Sequence, residues 1–300
     1  MSQKVFKSGI VSISGNPNVG KSTLLNRIIG QKLSIVSHKP QTTRGIFRGI
    51  YNSNGIQIVF VDNPGFLNPR NKLDQFMMKQ ACASIETADV VFLVVEPHLP
   101  DENNLKDVLK PIIEYDCPVI LVINKIDRIK DKNELLIIIE AYHRLYEFKE
   151  IVPISALKDE NVQRLLSCTA ALLPEGEPLF PTDIVSNQYE RYFVAELIRE
   201  KVFHNTHQEI PYSVAVSIDQ FKEREQGKWY IRATLVVEKD NHKGMVIGKQ
   251  GAMIKKIGQS ARKDIETLLE AECFLDLFVK VIPDWKTNDK KLRELGYFIQ

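Results

Sequence analysis

Short apolar runs recur through the first half of the chain at residues 10–13, 56–61, 90–95, 119–123 and 151–154, each the length of a buried strand. Between them, residues 23–29, 73–85, 105–113 and 135–145 carry apolar side chains at helical spacing. This alternation predicts an α/β fold, a mostly parallel sheet with helices on both faces. Asn52-Ser53-Asn54-Gly55 reads as a hairpin turn between strands at 45–51 and 56–61, so one edge strand is expected to be antiparallel. The pattern then breaks. Residues 173–181 hold three prolines and a glycine, the composition of a linker. Beyond them the order is a helix (about 188–203), two strands (about 212–221 and 228–237), helical segments around a glycine turn, a strand (274–281) and a short charged helix (289–295). That order predicts a first domain over 1–173, a linker over 174–182 and an α+β domain over 183–300.

Composition changes this picture little. A chain of 300 residues has room for about two domains, and 44% apolar with 26% charged residues is that of an ordinary globular protein. A net charge of +2 carries no overall nucleic-acid signal, so any such signal must be local. Cys82, Cys117, Cys168 and Cys273 form no C-x-x-C pair and are expected as buried free thiols in a reducing cytoplasm. No signal peptide is read at the start, and no apolar stretch approaches the ~18 residues of a membrane span.

The chemistry is concentrated in a few loops. Gly15-Asn16-Pro17-Asn18-Val19-Gly20-Lys21-Ser22, followed by Thr23, spells G-x-x-x-x-G-K-[ST] between a strand and a helix. Backbone N–H groups there can close around phosphates, with the helix N-terminus adding partial positive charge. Lys21 would reach the β- and γ-phosphates and the Ser22 hydroxyl would ligate Mg²⁺. Asn124-Lys125-Ile126-Asp127 follows the strand 119–123, at the sheet edge where ligands bind in such folds. A carboxylate at Asp127 can accept both the N1–H and the 2-amino group of guanine, donors that adenine lacks in that position. The Lys125 stem would cover the base, Asn124 would tie the loops, and Ser155-Ala156-Leu157 could offer an N–H to the guanine O6. Asp62-Asn63-Pro64-Gly65 ends a strand; Asp62 would hold Mg²⁺ through water, and the Gly65 N–H would meet the γ-phosphate. In Gln41-Thr42-Thr43-Arg44-Gly45, a threonine hydroxyl could complete the Mg²⁺ shell.

These five elements, in this order and spacing, resemble the G1 to G5 boxes of the TrmE-Era branch of GTPases. The resemblance implies that Thr43 is the Mg²⁺ ligand of the first switch, and that Lys21, Thr43 and Gly65 serve the chemical step. Asn63 stands where the family usually has threonine. Phe66 stands where Ras-like GTPases carry the glutamine that orients water, so hydrolysis must be organised otherwise. The same phenyl ring is the best argument for the competing reading, an RNA-binding scaffold with a structural nucleotide pocket. In relatives, the asparagine matching Asn18 helps bind K⁺.

The second half carries its own signal. Gly248-Lys249-Gln250-Gly251 is a G-x-x-G turn between apolar helical segments. From Asn241 to Lys263 there is no acid, while Lys243, Lys249, Lys255, Lys256, Arg262 and Lys263 are basic. A helix over 252–269 would place Ile254, Ile257 and Ala261 on its core face and leave charges in solvent. The element order resembles a type II KH domain, which clamps about four single-stranded nucleotides against such a loop. A GTPase joined to this domain, with Asp284-Trp285 and Leu295-Gly296-Tyr297 near the end, resembles the bacterial ribosome-assembly GTPases of the family. That implies a GTP/GDP switch binding the 3′ end of 16S ribosomal RNA and assisting 30S subunit maturation. It also implies a monomer in the cytoplasm, with peripheral inner-membrane contact in some members.

Overall fold

A computed structural model of the protein describes residues 6–35, 43–66, 69–207, 209–224 and 227–297, at Asn104 the backbone only. The described chain forms two compact units, the first running through Asn187 and the second comprising chiefly the residues from Gln188 onward.

The first unit is built on a six-stranded sheet. Its strands are β1 (Lys7–Ser14), β2 (Phe47–Ser53), β3 (Ile56–Asp62), β4 (Val90–Val95), β5 (Val119–Ile123) and β6 (Glu150–Pro153), in the order β2-β3-β1-β4-β5-β6. All pairs are parallel except β2 with β3. Helices α1 (Lys21–Ile29), α2 (Lys72–Glu86), α3 (Glu102–Glu114), α4 (Lys132–His143) and α5 (Val162–Leu172) alternate with the strands. The runs VVFLVV of β4 and VILVI of β5 are buried because helices cover both faces of a parallel sheet. On one face Val91, Leu93, Leu121 and Ile123 pack with Val108, Ile112, Ile138 and Tyr142.

Two details differ from the sequence reading. Ser53 pairs with Ile56, so the hairpin turn is the two residues Asn54-Gly55 and β2 begins two residues later than expected. The proline-rich stretch is not a free connector. Pro174 O accepts from Ser8 N (3.2 Å), Gln57 and Phe180 exchange bonds of 2.8 and 2.9 Å, and Ile50 N donates to Val185 O (2.8 Å).

The second unit contains α6 (Glu190–Asn205), α7 (Ile210–Ser213), β7 (Ala215–Glu223), β8 (Trp229–Val237), α8 (Asp240–Ile247), α9 (Ala252–Leu269), β9 (Cys273–Val281) and α10 (Asp289–Glu294). Its sheet has the order β7-β8-β9, antiparallel then parallel. Val194, Ile198 and Val202 of α6 and Ile257, Ala261 and Ile265 of α9 meet Ile231, Ala233 and Leu235 of β8 in one core. Ile254 is half-buried rather than on that core face. The buried stripe follows the i, i+4, i+8 spacing of residues 257, 261 and 265. The strand expected from 212 begins at Ala215, because Pro211 sits in the first turn of α7. At one end of the sheet, Trp285 and Leu292 cover Ala215 and Val236.

All four cysteines are free. Cys117 and Cys273 are buried as expected, with burial pushing both thiols up to about 11, but Cys82 and Cys168 are only half-buried. Among the described residues, no helix is long and apolar enough to cross a membrane.

Candidate functional site: a nucleotide pocket and a basic groove

The Gly15–Ser22 segment connects β1 to α1, so its N–H groups gather at the sheet edge and at a helix N-terminus. Asn16 and Pro17 are half-buried, Asn18 is exposed in the left-handed region (φ 67°), Val19 is buried, and Thr23 is in the first turn of α1. Lys21 is buried, and its Nζ donates to Gly15 O (3.0 Å) and Asn16 O (2.9 Å). Burial lowers its pKa from 10.5 to about 8, against the opposing pull of the Asp62 carboxylate.

Asp62, at the end of β3, has no exposed surface. Its Oδ2 accepts from the hydroxyls of Ser22 (2.9 Å), Ser34 (2.8 Å) and Thr43 (3.2 Å), while its buried Oδ1 has no protein partner. Burial pushes the Asp62 carboxyl up; Lys21 and the three hydroxyls pull it down. Three hydroxyls around one carboxylate with an unsatisfied buried oxygen is a hard-oxygen environment, and it fits Mg²⁺ completed by phosphate oxygens and water. The structure therefore brings Lys21, Ser22, Thr43 and Asp62 together; Gln41 and Thr42 lie outside the described residues. Gly65 lies against the cradle: a Cβ there would stand 3.1 Å from Gly15 O, Lys21 Nζ and Pro17 N, tighter than ordinary van der Waals contact. Pro64 is buried, and the Asn63 amide donates to Ser12 Oγ (3.0 Å) and Ser84 Oγ (2.7 Å), tying this loop to β1 and α2. Phe66 packs against the apolar core and offers no polar group.

The base-side loops converge on Asn124. Its Nδ2 donates to Val19 O (2.8 Å) and its Oδ1 accepts from Ala156 N (3.0 Å), so one buried amide joins three loops. A guanine O6 must share or displace that Ala156 bond. Asp127 is exposed, with Oδ1 accepting from the buried Ser155 hydroxyl (2.5 Å). Lys125 has φ 67°, and its Nζ meets Asn18 O and the Glu96 carboxylate.

Four supporting residues escape sequence reasoning: Ser34, Asn26, Arg27 and Glu96. Asn26 accepts from Leu33 N and Ser34 N (2.9 and 2.8 Å), which places Ser34 on Asp62. Arg27 donates to the carbonyls of Ala156 (3.1 Å) and Leu157 (3.0 Å). Most of these bonds end on main-chain atoms, which leave no trace in a sequence. Only Glu96, an acid directly after β4 at the ligand edge, carried a readable hint.

In the second unit, Gly248 has φ 73° and a Cβ there would come within 2.6 Å of the Met253 Cβ, so the turn demands glycine. Lys249 and Gln250 project as exposed residues from this turn, Gln250 at φ 50°, and Gly251 begins α9. Beside it runs a groove of about 620 Å³ between α9 and β9, lined by Ile254, Lys255, Gly258, Arg262, Leu275 and Leu277 among others. Lys256 is exposed next to it, and Lys243 is half-buried on α8.

Comparison with known proteins agrees with this geometry. Residues 10–125 match the family described as 50S ribosome-binding GTPase, and residues 209–286 match the KH domain. The chain is 49% identical to GTPase Era of Geotalea uraniireducens over 99% of its length and all of the relative's. It is 45% identical to GTPase Era of Lactobacillus helveticus, over 99% of this chain and 98% of that one. Two solved structures superpose with a TM-score of 0.94 at 39% identity, covering 98% of this chain and 100% of theirs. One is a variant of Aquifex aeolicus Era bound to GDP and AlF4⁻; the other is Era in complex with MgGDPNP and nucleotides 1506–1542 of 16S ribosomal RNA.

Proposed function

The chain belongs to the Era family of GTPases, and from that premise we propose that it is a GTP-hydrolysing switch that binds the 3′ end of 16S ribosomal RNA and assists 30S subunit maturation. The observation that carries the nucleotide half is the convergence of Ser22, Ser34 and Thr43 on the half-satisfied Asp62 carboxylate beside Lys21. Ser22, Thr43 and Asp62 would hold Mg²⁺, which would bridge the β- and γ-phosphates and offset their charge. Lys21 would swing from the two cradle carbonyls to the phosphate oxygens. The Gly65 N–H would meet the γ-phosphate, and backbone groups would orient the attacking water, since Phe66 cannot. Asp127, held by Ser155, would read guanine, with Lys125 against the base and Asn124 keeping the loops in register.

The RNA half is assigned to the Gly248–Gly251 turn and the α9–β9 groove, with Lys243, Lys249, Gln250, Lys255 and Lys256 facing the sugar–phosphate chain. A K⁺ ion beside Asn18 belongs to the same proposal.

GTP turnover by the wild type and by Lys21→Ala, in K⁺ and in Na⁺, tests the nucleotide half. Slow unaided turnover of ~10⁻³ s⁻¹ or below is expected, faster in K⁺, and at background in the variant. Equal turnover by the two proteins would return the chain to the scaffold reading, and equal rates in the two salts would remove the K⁺ site.

A further inference from the structure

The sheet of the second unit has two faces, and the strand β9 serves both. Leu275 and Leu277 face the groove and the core, so by strand alternation Phe274, Asp276, Phe278 and Lys280 face the other way. Helices cover the first face. Among the described residues, the C-terminal Trp285 and Leu292 cover the second only at its Ala215–Val236 end. The remainder is open: Phe274 is 59% and Phe278 47% exposed. Parallel register sets Tyr230 beside Phe274, and their rings lie 5.9 Å apart and within 11° of parallel. The guanidinium of Arg232 sits between the Tyr230 and Phe278 rings, 5.8 and 5.3 Å from their centroids, and that of Arg224 lies 4.2 Å from Tyr230.

A contiguous exposed patch of aromatic rings marks an interaction surface. Two features select the occupant. Among the described residues, the face carries four cations, Lys222, Arg224, Arg232 and Lys280, against the carboxylates of Asp219 and Asp276. Both carboxylates are already engaged, Asp219 by Thr234 (2.7 Å) and Asp276 by Arg232 (3.4 Å) and Tyr230 (3.3 Å). What remains is net positive with flat apolar surfaces, complementary to a phosphate chain bearing bases. Second, β9 is an edge strand, so a chain leaving the α9–β9 groove needs only to pass over that edge to reach these rings. We propose that the open face of the β7-β8-β9 sheet is a second single-stranded RNA site, where bases of an RNA leaving the groove stack on Phe274 and Phe278 and their phosphates meet the surrounding cations. The inference rests on the groove being an RNA site.

RNA-binding titrations by fluorescence anisotropy separate the two claims. The long probe is the 1506–1542 fragment of 16S ribosomal RNA; the short probe is the shortest truncation of it that the wild type still binds. Phe274→Leu with Phe278→Leu keeps apolar bulk and removes the ring faces. This pair is expected to weaken the long probe by about tenfold or more and leave the short probe unchanged. Phe274→Tyr with Phe278→Trp, which keeps the ring faces, should bind the long probe about as the wild type does. Lys249→Asp with Gln250→Asp should lose both probes; if it keeps both, the groove reading falls and this inference with it. If the leucine pair binds the long probe like the wild type, or weakens both probes equally, the second site is overturned. The face is then left to a protein partner.

Discussion

Asp127 meets solvent with one oxygen already fixed by Ser155, which leaves the other oxygen of the carboxylate to accept from a ligand. Guanine offers two donors there, and only an anionic carboxylate accepts both. Asp127→Asn should therefore lose GTP affinity by roughly the value of a charged hydrogen bond, about 1.5–3 kcal/mol. It should gain xanthosine triphosphate, whose 2-oxo group accepts from the new amide. Competition titration of the two nucleotides measures the exchange; normal GTP affinity in the variant would remove Asp127 from base reading. At this scale the sequence was most legible at Lys21, Ser22, Thr43 and Asp62, which lie far apart in the chain and which the structure gathers into one cluster. It was mute at Ser34, Asn26 and Arg27, whose roles depend on distant partners: Arg27 bonds a carbonyl 129 residues away. Asn63 was expected among the nucleotide-binding residues, and its amide is engaged with the protein instead. Its amide ties the loop after β3 to two serines, a network no motif encodes.

At the scale of elements, the strand runs and the two glycine turns were readable from local pattern, since a parallel sheet buries continuous apolar runs and tight turns demand glycine. The errors lie where tertiary contacts decide. Residues 210–213 coil into α7, and the Trp285 Nε1 donates to Ser213 O (3.1 Å) from 72 residues away. The α9 stripe shifted toward Ile265 because α6 packs there, whereas Ile254 was released to the groove. That arrangement gives the turn and helix a task separable from GTP chemistry. Lys249→Ala should weaken RNA binding and lower the slope of log affinity against log salt by about 0.7, the value for one single-strand phosphate contact. GTP turnover should stay at the wild-type rate. A salt slope equal to the wild type's would show that Lys249 touches no phosphate.

For the whole molecule, a GTPase domain and a KH domain match the two kinds of domain expected from the sequence, and residues 174–182, expected as a linker, bond to the first sheet. Pro174 bonds to β1, Gly176 to Phe6 just before β1, and Phe180 to β3, and the first compact unit continues to Asn187. Proline content reports local stiffness and says nothing about which sheet the segment lies against. A switch requires that its two ligands influence each other. Coupling of ~1–3 kcal/mol, roughly 5–150-fold, is typical, and linkage makes it reciprocal. RNA should therefore tighten a non-hydrolysable GTP analogue by the factor with which the analogue tightens RNA, each relative to GDP. Paired titrations at fixed salt measure both factors; identical RNA affinity with GDP and with the analogue would make the protein two independent modules.

The lowered pKa of Lys21 makes nucleotide binding a proton-consuming event. Burial lowers the Lys21 ammonium from 10.5 to about 8 without nucleotide, so the neutral amine accumulates as pH rises toward and past 8. Phosphates restore the charge, and the missing proton must come from the buffer. Calorimetric heats of GDP binding, taken in EDTA to exclude Mg²⁺, should then vary with the ionisation enthalpy of the buffer. Proton uptake per GDP bound should be larger at pH 8 than at pH 7. Affinity should weaken as pH rises past 8, because each binding event must first recharge the lysine.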